Sequence, residues 1–305
     1  MAATNLYVAN AGGRTVTVYK PGTETPLRTI SDGVLDPATF AFDSVGNLYV
    51  VNSENVTIYA AGSTKLIGTL SKNMDAPIAI ALDAANNVYV ANQKSSTIAV
   101  YKAGTNQLMQ TIKDGLDDPV ALAFNKSGEL YAANNKGSSV AIYRAGSPRQ
   151  LLRTITSGIR NPVAMILDGS SNLYVSNAGH PQGSVTVYPS NASKPARTIT
   201  DGIQVPQGLA FDSSGNLYVA NQTDAVGYAG TVTVYAPGKI SVLRTISEGI
   251  NEPVSLAFGP SGFLNVGNTF FSAGGDITEY APGSGRLART IKDGITDPLT
   301  VGFGP

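Results

Sequence analysis

The sequence predicts an all-β fold, a seven-bladed β-propeller of four-stranded antiparallel blades, on three observations. One unit is written seven times along the 305 residues, and the prolines that mark it are 40 to 47 residues apart. Each unit holds four short segments rich in β-branched and aromatic residues, separated by Gly, Pro, Asn, Asp and Ser. No stretch shows a helical period over ten or more residues. Four strands in a repeat of this length are typical of a propeller blade.

The four segments of a unit are named strands a to d in the order of the blade. Strand a starts at a proline and strand b follows the pattern Asn-Leu-Tyr-Val-Ala-Asn, first seen at residues 5–10. Strand c resembles Val-Thr-Val-Tyr and strand d resembles Arg-Thr-Ile. The prolines that open the a strands are Pro37, Pro77, Pro119, Pro162, Pro206, Pro253 and Pro298.

Side-chain size along strand a predicts that it is the innermost strand. Small residues such as Ala79 and Gly208 stand two positions after the proline, and bulky residues such as Phe42 and Leu82 stand five positions after it. Small side chains suit the crowded axis of a propeller, whereas bulky ones fill the wedge between blades. The alternation therefore places strand a at the axis.

The order of the strands at the two termini predicts how the ring closes. The chain opens on strand b at residues 5–10 and ends on strand a at residues 298–303, and neither has its partner nearby in sequence. Pairing these two segments completes a blade from both termini and removes an open sheet edge. We therefore expect residues 1–305 to form one domain, a monomer.

Composition excludes several classes of function. The chain has no Cys and one His, so thiolate metal sites, cysteine nucleophiles and sites with two imidazoles are impossible. With 21 basic and 21 acidic residues it has no net charge, which argues against nucleic-acid binding. No apolar run is long enough to span a membrane.

Composition also carries an expectation about location. Low charge and the absence of Cys favour a secreted or cell-surface bacterial protein, although a cytoplasmic location stays open. The first five residues lack the pattern of a signal peptide.

The loops between strands b and c hold the residues that the repeat does not explain. The three longest are in blades 5, 6 and 7, and we expect them on the face where the axial channel opens. They carry unusual aromatics, the lone His and other polar side chains, with a basic residue in the neighbouring d–a loop of blade 5. The candidate ligand-binding residues are His180, Gln182, Asp224, Tyr228, Phe270, Phe271 and Arg160.

A second candidate site is the ring of acidic residues that precede the prolines. Carboxylates around a channel mouth could hold a hard cation such as Ca²⁺. The alternative is turn chemistry, because Asp or Asn before Pro suits a turn, and this alternative is favoured since the acids recur with the repeat. We expect no cofactor, and any cation would sit at Asp36, Asp118, Glu252 and Asp297.

The repeat resembles the NHL and YVTN classes of β-propeller. The segment 206–221, Pro-Gln-Gly-Leu-Ala-Phe-Asp-Ser-Ser-Gly-Asn-Leu-Tyr-Val-Ala-Asn, carries the likeness, which covers the whole chain. Asn ends strand b here, where many NHL repeats have Asp. The resemblance implies the propeller fold without fixing a function, since such propellers include scaffolds, peptide and RNA readers, relatives of SMP-30/gluconolactonase, and lyases.

Three functions stay open at this point. The first is a non-enzymatic binding or scaffold protein that takes a protein, peptide or glycan on the b–c loops of blades 5–7. The second, implied by resemblance, is a metal-assisted lactonase-like hydrolase or a lyase that uses the channel mouth. The third is an amplified or engineered repeat with no ligand. The near-regular repeats and the lack of a catalytic set favour the first, so we expect a protein that is not an enzyme.

Overall fold

The computed structural model describes residues 4–146, 148–179, 183–222, 230–270 and 274–305, and it contains 28 strands in these ranges. The a strands are β4 (Thr39–Phe42), β8 (Pro77–Leu82), β12 (Pro119–Phe124), β16 (Pro162–Leu167), β20 (Val205–Phe211), β24 (Pro253–Phe258) and β28 (Pro298–Gly304). The b strands are β1 (Asn5–Asn10), β5 (Leu48–Val51), β9 (Val88–Asn92), β13 (Leu130–Asn134), β17 (Leu173–Asn177), β21 (Leu217–Gln222) and β25 (Leu264–Thr269).

The two outer strands of each unit are strand c, which is almost fully buried, and strand d, which is shorter or more exposed. The c strands are β2 (Thr15–Tyr19), β6 (Val56–Tyr59), β10 (Thr97–Tyr101), β14 (Ser139–Tyr143), β18 (Ser184–Tyr188), β22 (Thr231–Tyr235) and β26 (Gly275–Tyr280). The d strands are β3 (Arg28–Ile30), β7 (Leu66–Leu70), β11 (Leu108–Ile112), β15 (Leu151–Ile155), β19 (Arg197–Ile199), β23 (Arg244–Ile246) and β27 (Leu287–Ile291).

The strands form seven sheets of four antiparallel strands in the order a-b-c-d, which confirms the predicted propeller. Blade 1 consists of β28, β1, β2 and β3, and blades 2 to 7 follow in chain order from β4 to β27. β28 pairs with β1 along its length, with Leu6 opposite Phe303 and Val8 opposite Val301. The ring is therefore closed by the two termini, as predicted.

Some strand ends differ from the sequence prediction. In blade 7, β25 continues one residue beyond its final asparagine and β26 starts at Gly275, because Thr269 and Gly275 pair with each other. In blade 6 the a strand starts one residue before its proline, at Val205, which pairs with Gln222. A β-branched residue there favours extended backbone.

Aromatic pairs fill the wedges between blades. The Tyr in the middle of strand b meets the Phe at the end of the a strand of the next blade, edge to face, with ring centroids 4.9 to 5.0 Å apart. These pairs are Tyr7 with Phe42, Tyr89 with Phe124, Tyr174 with Phe211 and Tyr218 with Phe258. The bulky positions of strand a thus lie between blades, as their size predicted.

The asparagine that ends each b strand fixes the loop that enters the same blade. In blade 4, the buried Asn134 accepts a bond from the Asp117 amide at 3.2 Å and donates to the Ser139 hydroxyl at 3.0 Å. The amide bond recurs in every blade, at Asn10, Asn52, Asn92, Asn134, Asn177, Asn221 and Asn268. The repeated asparagines therefore fix the d–a loops.

The tyrosine that ends each c strand ties its blade to the d–a loop arriving from the blade before. Tyr143 Oη donates to the Asp114 carbonyl at 2.6 Å, and all seven blades contain the equivalent bond. The donors are Tyr19, Tyr59, Tyr101, Tyr143, Tyr188, Tyr235 and Tyr280. Because these rings are almost fully buried, the phenols are held neutral.

The described part of the chain contains no helix long and apolar enough to cross a membrane.

Alkaline pH tests the dependence on neutral phenols. Burial raises the pKa of Tyr19, Tyr101, Tyr235 and Tyr280 to about 12 from an ordinary value of 10.0. The unfolded chain therefore ionises first, so their stabilisation is complete below pH 10 and is lost between pH 10 and about 12. We expect tyrosinate absorbance and loss of β-sheet circular dichroism to rise together in that window. Gradual ionisation with the sheet signal intact would contradict this.

Candidate functional site

The seven a strands surround an axial channel with a cavity of about 320 Å³. All seven small residues two positions after the prolines line it, as the sequence predicted, and they are Thr39, Ala79, Ala121, Ala164, Gly208, Ser255 and Thr300. A side chain at Gly208 would lie 2.9 Å from the Val254 carbonyl oxygen of the next blade. Blades 6 and 7 are therefore too close at the axis for a larger residue in place of Gly208.

An apolar collar surrounds the mouth of the channel. It consists of the residues one position after the prolines, where strand a enters from the b–c loop face, and these side chains are partly exposed. The collar residues are Ala38, Ile78, Val120, Val163, Val254 and Leu299. Leu299 is 36% exposed. In blade 6 the equivalent residue, Gln207, donates instead to the Gln222 side chain at 3.1 Å.

The described residues that line the channel include no titratable side chain. Two of the three hydroxyl groups there already have bonds within the protein. Thr300 Oγ1 donates to the Ala38 carbonyl at 2.9 Å, and Ser255 Oγ accepts from the Val301 amide at 3.0 Å. The described wall of the channel thus has no acid, base or guanidinium among its side chains, and the polar surface that it exposes comes from hydroxyl and backbone groups.

The residues before the prolines serve the turns through their backbone. Six of the seven have positive φ between 45° and 61°, and they are Asp36, Ala76, Asp118, Asn161, Glu252 and Asp297. The backbone carbonyl of such a residue, or of the residue before it, accepts a hydrogen bond from the start of the b–c loop. In blade 4 the Asp118 carbonyl accepts from the Asn135 amide at 2.9 Å. Asp and Asn tolerate this left-handed conformation, which explains their recurrence. These residues therefore suit the turn through the backbone conformation that they adopt.

The four acids proposed for a cation do not form a cluster in the described structure. Asp36 is exposed and pairs with Arg14 at 3.2 Å, whereas Asp118 is buried and its amide donates to Ser96. Within the described ranges, no group of three or more His, Cys, Asp or Glu side chains could hold a metal ion. A cation at Asp36, Asp118, Glu252 and Asp297 stays a prediction.

Two predicted ligand-binding residues lie in described segments. Arg160 is exposed, and the chain beyond β17 passes directly over it, since a Cβ on Gly179 would lie 2.4 Å from Arg160 Cγ. This places Arg160 beside the start of the blade 5 loop, and its role in ligand binding stays a prediction. Phe270 is half-buried immediately after β25. The others, His180, Gln182, Asp224, Tyr228 and Phe271, lie outside the described residues.

The three long loops re-enter the fold at glycines that press on the next blade. A Cβ on Gly183, Gly230 or Gly275 would lie 2.3 to 2.4 Å from the Cδ atom of the proline that begins strand a in the next blade. Those prolines, Pro206, Pro253 and Pro298, begin the a strands at the channel mouth. The described ends of the loops in blades 5, 6 and 7 therefore flank the mouth. In the sequence, the glycine near the end of each long loop is the signal for this contact.

One buried carboxyl lies beneath the blade 7 loop and was not selected from the sequence. Asp276 stands where five of the other c strands start with Thr or Ser, and it accepts from Asn268 Nδ2 at 2.8 Å. Burial raises its pKa, and the bond from Asn268 and the charge of Lys292 oppose that rise. Asp276 therefore binds the loop-fixing Asn268 and belongs to the support of this face.

Comparison with solved structures finds the same fold at low sequence identity. A Desulfotomaculum acetoxidans protein of unknown function matches with a TM-score of 0.80, 14% identity and 98% coverage of both chains. A Bacteroides fragilis protein named as a candidate 6-phosphogluconolactonase matches with a TM-score of 0.80, 15% identity, and coverage of 99% of this chain and 98% of its own. The computationally designed protein Ika8 matches with a TM-score of 0.72 and 17% identity, over 98% and 90%.

No protein-family model matches the chain, and no curated protein matches it in sequence. These likenesses establish the seven-bladed propeller fold. The resemblance of the repeat to the NHL and YVTN classes stays a prediction.

Backbone strain before the prolines can be tested at blade 3. Ala76 has a φ of 52°, a conformation that costs an ordinary L-residue about 1 to 2 kcal/mol and Asn less. We expect Ala76→Asn to raise the free energy of unfolding by about 1 kcal/mol in urea denaturation. The matched control is Val205→Asn, where the backbone is extended in β20 and no gain is expected. Equal gains at both positions would contradict the assignment to strain.

Proposed function

We propose that this chain is a non-enzymatic binding propeller that takes a protein or peptide partner on the b–c loop face near blades 5–7. An apolar side chain of the partner would enter the channel mouth. The apolar collar carries the proposal, because aliphatic side chains stay partly exposed around an opening of about 320 Å³. Exposed apolar surface in a concavity is typical of a binding site.

The chemistry of the collar favours a peptide over a glycan. The side chains of the collar are aliphatic, so a sugar ring would have to bind its hydroxyls through backbone groups and the few hydroxyl side chains of the wall. An aliphatic or aromatic side chain needs only the apolar wall that Val254 and Leu299 provide. The partner class is therefore a peptide segment with a protruding apolar residue.

The long loops would supply the rest of the contact. Their described ends flank the mouth at Gly183, Gly230 and Gly275. Phe270 is half-buried there, and exposed Arg160 adds a positive charge beside blade 5. Aromatic and arginine side chains are the residue types that contribute most at interfaces. The proposed contacts in the rest of these loops are His180, Gln182, Asp224, Tyr228 and Phe271.

A lactone hydrolase is the second candidate, and the likeness to the Bacteroides fragilis protein is what favours it. Hydrolysis of a lactone requires an activated water and a group that stabilises the oxyanion. The described wall of the channel has no titratable side chain to provide either. A repeat without any ligand is the third candidate, and it would leave the collar without a partner.

The collar can be tested by peptide selection. We expect a phage-displayed library of random 12-residue peptides to yield binders that share an aliphatic or aromatic residue. A double variant, Val254→Asp with Leu299→Asp, should weaken the selected peptides at least tenfold in fluorescence anisotropy, because it places charge where the apolar residue enters. Truncating Phe270 to Ala should weaken them to a smaller degree.

The matched control is Val45→Asp, which changes a side chain that is 71% exposed on the opposite, a–b loop face. Binding should be unchanged in this variant, and the thermal midpoint of every variant should stay near that of the parent. No selected peptide, or equal loss in Val45→Asp, would overturn the collar as the binding site.

Hydrolytic activity gives a separate outcome. We expect no hydrolysis of 6-phosphogluconolactone above the buffer rate, with or without added Ca²⁺, followed by proton release. A rate that rises with protein concentration and falls on chelation would overturn the non-enzymatic proposal in favour of the hydrolase.

A further inference from the structure

A second cavity, of about 250 Å³, lies in the wedge between blades 7 and 1 and opens on the face opposite the collar. Its deep wall is formed by Asn265, Glu279 and Arg289 of blade 7. Its opening is bounded by the c–d loop of blade 1 at 20–23 and the a–b loop of blade 7 at 259–261. Phe303 of blade 1 lines it from the other side.

The same place is filled by a tyrosine ring in the other six blades. In blade 6, Tyr218 stands opposite Val234, which stands opposite Arg244, so the three side chains lie in one row across strands b, c and d. Arg244 Nη2 donates to Tyr218 Oη at 3.1 Å, and the ring meets Phe258 of the next blade at 4.9 Å. Blades 1 and 5 repeat this arrangement.

Blade 7 changes two members of this row and keeps the rest. Asn265 replaces the tyrosine and Glu279 replaces the aliphatic residue, while Arg289 remains. Arg289 now donates to Oε1 of Glu279 from Nε at 3.0 Å and from Nη2 at 2.8 Å. Phe303 also remains, although its tyrosine partner is gone. The wedge between blades 7 and 1 thus keeps Arg289 and Phe303, whose counterparts contact the tyrosine side chain in other blades.

Asn265, which lines this cavity, has an unused hydrogen-bond acceptor. Asn265 is 1% exposed, and its Oδ1 has no protein partner among the described residues, whereas its Nδ2 donates to the Phe263 carbonyl at 3.5 Å. A buried acceptor without a donor is costly, so a ligand that donates to it gains affinity. The two bonds at Glu279 both use Oε1.

Cavity size alone does not single out this wedge. Between blades 2 and 3, Gly68 stands in place of the strand d arginine, and a cavity of about 220 Å³ results. That wedge keeps its tyrosine, Tyr49, and its lining includes no charged side chain among the described residues. The wedge between blades 7 and 1 differs because the buried Asn265 and Glu279 and the half-buried Arg289 form a polar floor beside an aromatic wall.

We propose that the wedge between blades 7 and 1 binds a phenolic ring. The ring enters the space that the missing tyrosine ring leaves beyond the side chain of Asn265, and it packs on Phe303. Its hydroxyl donates to Oδ1 of Asn265 and accepts from the guanidinium of Arg289, as the tyrosine hydroxyls accept from arginine in the sister blades. This site is independent of the channel mouth, because it opens on the other face of the ring.

The proposal can be tested by ¹⁹F NMR of 4-fluorophenol with the purified protein. We expect saturable binding with a Kd on the order of 1 mM, as suits so small a ligand. Fluorobenzene should bind at least tenfold more weakly, because it leaves Oδ1 of Asn265 without a donor. Equal binding of the two probes would overturn the proposal.

Substitutions locate the site. Asn265→Tyr restores the residue of the sister blades and should abolish binding while leaving the fold intact. Asn265→Leu keeps the size and removes the acceptor, and should weaken 4-fluorophenol at least tenfold without affecting fluorobenzene. The matched control is Gly68→Arg, which fills the wedge between blades 2 and 3 and should change nothing. Binding that survives Asn265→Tyr, or is lost in Gly68→Arg, would overturn the assignment.

Two sources could supply the ring, a free phenolic compound or a tyrosine of a protein partner. N-acetyl-tyrosinamide distinguishes them, with N-acetyl-phenylalaninamide as its control. If the tyrosine amide displaces 4-fluorophenol and the phenylalanine amide does not, the source is a partner's tyrosine. If neither displaces it, the wedge takes free phenols.

Discussion

The bond from the last tyrosine of strand c to a loop carbonyl is the interaction on which the rest of the ring depends. It joins each blade to the segment that arrives from the blade before, and it recurs in all seven joints. The strand-end asparagines hold the same segment from the other side, as Asn134 holds the Asp117 amide. Because both groups act on backbone atoms, the side chains of these loops are left to vary.

This division explains how one face of a regular scaffold can be specialised. The prolines start strand a at the mouth of the channel, and the d–a loops before them are fixed by the asparagines and tyrosines. The long loops of blades 5, 6 and 7 are then anchored on the next proline through Gly183, Gly230 and Gly275. The extra residues of each long loop thus lie between two fixed points, and the bonds that join these blades are the same as in the rest of the ring.

Blade 7 keeps the bonds that join the blades although the wedge between blades 7 and 1 has changed. Blade 7 lacks the strand b tyrosine, yet Tyr280 still donates to the Glu248 carbonyl at 2.6 Å and Asn268 still accepts from the Asn251 amide. The joint therefore does not rely on the aromatic pair that fills the sister wedges. That independence permits a polar, partly empty wedge at the point where the termini close the ring.

The sequence by itself determined the strands, the number of blades, the innermost strand and the closure of the ring, because each is encoded by a local pattern repeated seven times. It also indicated that the blade 5 to 7 loops are unusual. Only the tertiary structure decided what surrounds the channel mouth, since the collar takes one residue from each of six blades. The same holds for the row of Asn265, Glu279 and Arg289 facing Phe303. The sequence shows that Tyr is replaced by Asn, but strand register and ring closure alone bring together the side chains that surround the resulting cavity.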